Sequence, residues 1–234
     1  MKTVKIEEKI IFEDNKILVV QKPPGIPVQS DSSKDLDLLS LLKEYIKEKY
    51  NKPGNAYLGL VHRLDRPVGG IMIFAKNSKS AKYLSEQIRN HTFKKTYLAI
   101  VHGKLKTRQA ELRDYLLKDS NTNKVSVVSK DIIDAKEAVL RYKVLEETNN
   151  LSLLRIELKT GRPHQIRVQL ANFGNPLYGD SKYGNGSSAR DGIGLLSYKI
   201  KFEHPGTKET LEFKSNIPTQ YPWNQFKKLQ NQQM

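Results

Sequence analysis

The chain has 234 residues, 40 lysines and arginines against 25 aspartates and glutamates, a formal charge of +15 and no cysteine. This excludes a disulfide scaffold, a thiol nucleophile and a cysteine-ligated zinc or iron–sulfur centre. No apolar run approaches the roughly 20 residues that a membrane-spanning helix needs. The surplus charge asks for a polyanionic partner, because a basic surface that meets phosphates releases their counterions. It is also uneven: residues 76–108 hold nine bases against one acid, Glu86. These bases do not line one long amphipathic helix, which argues for nucleic acid over a membrane surface.

In chain order, residues 9–13 and 16–22 read as two short strands around Asp14-Asn15. Pro23-Pro24-Gly25-Ile26-Pro27 then forces a stiff, extended segment. Helical spacing of Leu38, Leu39, Leu41, Leu42, Tyr45 and Ile46 predicts a helix over 35–50, with Asp35 or Asp37 as its cap. Residues 58–61 and 71–76 are apolar runs of strand length on either side of 62–70. Ser78 reads as the N-cap of a helix ending near Arg89, and residues 96–101 as a buried strand. Two-residue alternation predicts strands at 154–158 and 196–202. Residues 163–173 read as a helix with Pro163 in its first turn, 174–194 as a Gly-, Ser- and Asn-rich loop, and 223–230 as a short last helix. Strands outnumber helices and do not alternate regularly with them. The expected class is therefore α+β, with a mixed, mostly antiparallel sheet and flanking helices.

The familiar phosphate and metal signatures are missing. There is no glycine-rich dinucleotide or P-loop fingerprint, and no HExxH. The five histidines fall in no metal-ligand spacing, and GxSxG does not occur. Two segments stand out instead. In His62-Arg63-Leu64-Asp65-Arg66-Pro67-Val68-Gly69-Gly70 a carboxylate sits between two arginines, in a loop between two apolar strands. Flanking cations keep such a carboxylate ionised; a structural salt bridge would show the same neighbours. In Lys159-Thr160-Gly161-Arg162-Pro163-His164-Gln165-Ile166-Arg167 two arginines, a histidine and a glutamine surround one helix start, an anion-favouring position. Arg167 shares a face with Pro163, Ile166 and Leu170, so it points toward the core and needs a carboxylate partner. Asp65 is the candidate.

His62-Arg63-Leu64-Asp65 resembles the catalytic motif of the RluA-type RNA pseudouridine synthases. The resemblance extends through Val19-Val20-Gln21-Lys22-Pro23-Pro24-Gly25, Lys95-Thr96-Tyr97-Leu98-Ala99, Gly161-Arg162-Pro163-His164-Gln165-Ile166-Arg167-Val168 and Pro176-Leu177-Tyr178-Gly179-Asp180-Ser181-Lys182-Tyr183-Gly184, in the family's order. Five motifs in order, from about residue 10 to 215, are far more specific than any one of them. The chain departs from the family at Val68-Gly69, where Thr-Ser is usual before the glycine. It departs again at Pro163, usually Thr, and at Gln169, usually His.

The resemblance implies the pseudouridine-synthase fold with a central catalytic cleft, in a single catalytic domain over residues 1–234 without the S4 RNA-binding module many members carry. It implies isomerisation of uridine in structured RNA, rRNA or tRNA, with no cofactor and no metal. The enzyme is expected to be cytoplasmic and monomeric, with no membrane and no obligate protein partner. Asp65 would be the nucleophile, attacking either sugar or base. Tyr97 would stack on the uracil and assist proton transfer, and Arg167 would pair with Asp65. Arg63 would enter the RNA stack or hold the flipped nucleotide, and His62 would support the loop. Arg162 would meet phosphate, with His164 and Gln165 as hydrogen-bonding support, while Lys94 and Lys95 would line the RNA path. A non-catalytic RNA-binding or ribosome-assembly factor on the same scaffold would share the charge, but binding alone has no need of a carboxylate facing phosphates.

Overall fold

The computed structural model describes residues 5–31, 35–184 and 192–230. Part of the predicted glycine-rich loop, 185–191, lies outside them. In chain order the elements are β1 (Ile10–Glu13), β2 (Ile17–Lys22), α1 (Leu38–Lys49), β3 (Gly59–Leu60), β4 (Gly69–Ala75), α2 (Ser78–Arg89), β5 (Lys94–His102), β6 (Gln109–Asp119), β7 (Lys124–Val128) and β8 (Lys136–Glu147). They continue with β9 (Leu151–Leu158), α3 (Gln165–Asn172), β10 (Leu195–Glu203), β11 (Thr210–Lys214) and α4 (Lys227–Gln230). Among the described residues no helix is long and apolar enough to cross a membrane. The chain divides into two compact units, Met1–Lys95 with Ser197–Asn216, and Thr96–Leu196 with Ile217–Met234.

In the first unit β2 pairs antiparallel with both β1 and β4, β3 with β4, and β10 with β11. β4 is buried at all seven positions, which is why its sequence reads as a continuous apolar run rather than an alternation. Leu84 of α2 packs on one face, against Ile17, Val19, Ile71, Ile73, Phe93, Ile200 and Phe202. The predicted helices are both present. Asp37, not Asp35, caps α1, accepting the Ser40 N–H at 3.0 Å. The cap of α2 is Asn77 rather than Ser78: its side chain reaches the Ser80 N–H at 2.8 Å, and Ser78 is the first helical residue.

The second unit is built on β5, β9, β8, β6 and β7, each pairing antiparallel with the next. Val168 of α3 packs on Leu116, Val125 and Ala138. Three of its strands, β6 to β8, have no counterpart in the sequence reading. The buried leucines of β6, Leu112 and Leu116, are four residues apart, a helical spacing. Charged residues fill the positions around them. Arg113 pairs with Glu111 and Glu137, and Arg141 with Glu111 at 2.8 Å, so the exposed face is laced by ion pairs rather than marked by alternation. The predicted helix at 163 begins instead at Gln165, after His164 in a left-handed conformation (φ 51°), so Pro163 precedes the helix. The turn closes early because the Gln165 side chain already takes up the Arg162 N–H, at 3.0 Å.

One carboxylate anchors α1 to the first unit. Glu13, at the end of β1, accepts from Lys49 Nζ (2.7 Å), Lys76 Nζ (2.6 Å), Tyr45 Oη (3.0 Å) and Tyr50 Oη (2.9 Å). Burial opposes its charge, but these four donors overcome the penalty and hold its pKa down at about 2. Unfolded, the same group titrates near 4.5. Its stabilisation is therefore complete above pH 4.5 and fades as the pH falls toward 2. Glu13→Gln, which leaves Lys76 without its counter-charge, should destabilise the protein by about 3 kcal/mol at neutral pH. In urea unfolding the difference from the parent should shrink steadily between pH 4.5 and the acid limit.

Candidate active site

Asp65 lies in the segment between β3 and β4, and three separate devices hold that segment. The first is a lysine without water. Lys22, at the end of β2, has no exposed surface. Its three N–H donors go to the carbonyls of Pro23 (3.1 Å), Arg66 (3.0 Å) and Val68 (2.8 Å). Burial pushes its pKa down to about 7, against the pull of the Asp65 carboxylate and with the help of Arg66. The second device is the turn after it: the Gly25 N–H donates to the Arg66 carbonyl at 2.9 Å, and Arg66 Nε returns a bond to the Gly25 carbonyl at 3.0 Å. The third is Gly70, with φ at +121°; a Cβ there would lie 2.3 Å from the Ser197 carbonyl oxygen. Within the loop, the Val68 N–H closes a turn onto the Asp65 carbonyl at 2.9 Å.

The departure at Val68-Gly69 fits this frame. Val68 is buried and gives its carbonyl to Lys22. A Cβ on Gly69 would sit 3.2 Å from Pro24 Cδ and 3.3 Å from the Lys22 carbonyl, a tight but local contact.

His62 hydrogen-bonds to the strand that follows the loop. β3 stops at Leu60, and the His62 ring continues its edge: Nε2 accepts the Ile73 N–H at 3.2 Å. The ring proton is then on Nδ1, which is buried and has no partner among the described residues. Burial, seconded by the positive charge of Lys95, pushes the imidazole pKa down to about 3, so it is neutral at working pH. Arg63 is exposed. Lys94 is exposed as well, its Nζ on the His91 carbonyl at 2.6 Å, while Lys95 is half-buried.

The second unit holds the other group. Tyr97 is buried on β5, in register with Ile156 of β9. Arg167 is buried, and Asp180 grips it with two bonds of 2.8 Å, from Nε and from the terminal nitrogen. Asp180 also accepts the N–H groups of Lys182 (2.9 Å) and Tyr183 (3.1 Å). Burial opposes the Asp180 charge, but Arg167 and these amides keep its pKa below the usual carboxylate range. The Tyr183 ring lies 5.1 Å from the Arg167 guanidinium carbon, and its hydroxyl meets His164 Nδ1 at 2.6 Å. Gln165 is internal support: its carbonyl oxygen accepts from Thr160 Oγ1 at 2.8 Å. Gln169, at the other departure, donates to Asp114 (2.8 Å) and to the Ala138 carbonyl (3.1 Å), tying α3 to the sheet. Arg162 is exposed, with Nε on the Glu137 carbonyl at 2.9 Å.

Sequence reasoning gave no role to Lys22, Asp180 or Tyr183. All three stood inside matched motifs, and that was their only signal. Nothing local marks Lys22 as buried.

Two expectations follow from these contacts. Above pH 7 folded Lys22 has lost its proton, whereas the unfolded chain keeps it to about 10.5. Unfolding then takes up a proton, and stability rises with pH across that interval. Against Lys22→Met, which orphans three carbonyls, the parent should gain up to about 1.4 kcal/mol per pH unit in urea titrations between pH 7 and 10.5. Asp180→Asn removes the carboxylate charge that grips the buried Arg167 guanidinium. It should cost about 3–5 kcal/mol in equilibrium unfolding, with the whole loss present at neutral pH.

Comparison with known proteins agrees with the motifs. The family model described as RNA pseudouridylate synthase matches residues 16–172. A Bacillus subtilis protein named "Uncharacterized RNA pseudouridine synthase YhcT" is 35% identical over 215 residues, covering 91% of this chain and 69% of that protein. The Haemophilus influenzae "Ribosomal large subunit pseudouridine synthase C" is 32% identical over 228 residues, covering 94% of this chain and 68% of its own length. The chain thus spans about two thirds of these relatives. Among solved structures, "Human RNA Pseudouridylate Synthase Domain Containing 4" superposes with a TM-score of 0.76 at 22% identity, covering 91% of this chain and 90% of that one. That likeness shows the fold. With the α+β, largely antiparallel architecture and the ordered motifs, these matches show that the chain belongs to the RNA pseudouridylate synthase family, in its RluA branch.

Proposed function

We propose that this enzyme isomerises specific uridines of structured RNA through Asp65 as nucleophile, and that the RNA is ribosomal. The braced loop that carries Asp65 is the observation that bears most weight. Its backbone is tied by a buried ammonium, a reciprocal turn and a glycine that accepts no substitute. A carboxylate that must meet one atom of one nucleotide needs such preorganisation. The relatives from Haemophilus influenzae and Vibrio parahaemolyticus are both named as ribosomal large subunit synthases, which favours rRNA over tRNA.

The chemistry stays within one nucleotide. The bond from C1′ to N1 breaks, the uracil turns, and C1′ is joined to C5. The proton leaving C5 is balanced by one gained at N1. Asp65 forms the transient covalent bond, to sugar or base, and releases it at the end. Tyr97 stacks on the free uracil, which holds the base yet lets it rotate, and its hydroxyl assists at C5. Arg167, itself held by Asp180, has in this reading the role of pairing with the Asp65 carboxylate. Arg63 takes up the space that the flipped nucleotide leaves. Arg162 and Lys94 follow the phosphate backbone.

The decisive measurement is a pseudouridine map of total RNA from cells with and without the gene, together with turnover by purified protein on the missing site. Parent protein should restore the site, with EDTA present. Asp65→Asn should bind the RNA and leave turnover at background. Arg167→Ala should lower single-turnover rates on the order of a hundredfold. Full activity in Asp65→Asn would overturn the assignment of the nucleophile, and an unchanged map would overturn the activity.

A further inference from the structure

The residues of α3 from Gln165 to Leu170 are all buried, and the apolar ones among them, Ile166, Val168 and Leu170, do not form one stripe. Ile166 and Leu170 lie one turn apart, while Val168 leaves on another side. Apolar packing therefore fixes the depth of this helix better than its rotation about its own axis. That rotation matters because Arg167 rides on it. A helix with its side chains reaches roughly 5–6 Å from its axis, so a turn of about 20° swings a side-chain tip by about 2 Å.

Two glutamines can set the rotation. Gln165 and Gln169 are one turn apart on a single face, and Arg167, two residues from each, leaves on the opposite face. Gln169 has no exposed surface. Its Nε2 donates to the Asp114 carboxylate at 2.8 Å and to the Ala138 carbonyl at 3.1 Å, with the Leu112 carbonyl at 3.3 Å. These three oxygens accept and do not donate, so the amide cannot turn over. Its own oxygen therefore faces Gln165 and takes an N–H from Gln165 Nε2 at 2.9 Å. The Gln165 oxygen in turn accepts from the Thr160 hydroxyl at 2.8 Å and from the Arg162 N–H at 3.0 Å. One directed chain of hydrogen bonds thus runs from β6 and β8, along one face of α3, to the turn in front of it.

We propose that Gln169 is a positioning residue for Arg167. It locks the rotation of α3, so that the sheet holds the base of the arginine while Asp180 holds its tip. The inference rests on the role given to Arg167 above for its effect on turnover, but not for the lock itself. Asp180 grips only the guanidinium, and a long side chain can keep that grip while its base moves. The departure at this position fits the same demand. A neutral imidazole, the family's usual group here, also offers one N–H donor and one nitrogen acceptor, and so can link sheet and Gln165. An apolar side chain offers neither.

The test separates rotation from packing. Gln169→Met, Gln169→His and Leu116→Ala are compared with the parent in thermal unfolding, in affinity for an rRNA transcript holding the mapped uridine, and in single-turnover rate at saturating enzyme. Nitrogen–proton correlation spectra of the same proteins follow the Arg167 Nε–H, identified by its loss in Arg167→Lys. Leu116 packs on Val168 from β6, so its truncation loosens the helix without touching the amide chain. Gln169→Met should lower the rate about tenfold, leave affinity within about twofold, and move the Arg167 signal. Gln169→His should restore rate and signal. Leu116→Ala should lose thermal stability and change neither. Where Gln169→Met does not fold, Gln169→Asn, the same amide on a shorter stem, carries the same expectation. A Gln169→Met protein that unfolds earlier yet keeps rate and signal overturns the proposal, and so does an equal loss of rate in Leu116→Ala. Should the parent isomerise no uridine, the proposed activity falls and the Arg167 signal alone decides the lock.

Discussion

An ammonium group cut off from water must take all its oxygens from the protein, and at Lys22 those oxygens belong to the backbone of the Asp65 loop. This constraint orders much else in the first unit. β2 is nearly all buried, so the lysine at its end lands in a dry place. Its donors reach the carbonyls of Arg66 and Val68 and fix where the turn after Asp65 runs. Gly70 then admits the backbone of Ser197 at a distance that no side chain would allow. Loop, strand end and neighbouring strand are set together, and Asp65 is carried by a segment with little freedom left.

The second unit meets a similar demand with a different partner. Arg167 is buried on α3, and Asp180 meets its planar fork with a two-point grip. Amide donors hold Asp180 in turn, and the Tyr183 ring lies near the guanidinium. The proposed reaction detaches a base, turns it and reattaches it. Such chemistry depends on groups that hold still while the substrate moves.

Where one segment carried its own periodicity or punctuation, the sequence was readable. The apolar spacing of residues 38–46 and an aspartate before it were enough for α1 and its cap. The run 71–75 was enough for β4, because a strand covered on both faces is apolar throughout. β6 and β8 escaped because their exposed faces are charged and their buried residues sparse, so neither a two-residue nor a clean helical period survives. The start of α3 was misplaced for a local reason: the Gln165 side chain, not Pro163, closes the turn.

The candidate residues of the proposed chemistry could be named from motif order, since a carboxylate between arginines, an aromatic on a strand and an arginine on an inward helix face are properties of short segments. The sequence by itself therefore determined the family, the class of partner and the elements on which Asp65, Tyr97 and Arg167 ride. Tertiary structure alone decided what answers each buried charge. Lys22 is a lysine in a short motif, yet it is surrounded by the carbonyls of a loop 44 and 46 residues away. Asp180 as the grip on Arg167 was likewise settled by folding, because 13 residues of chain separate them and only the turn after Gly179 brings carboxylate to guanidinium. Burial and long-range hydrogen bonding depend on what the rest of the chain places nearby, and no local pattern encodes that.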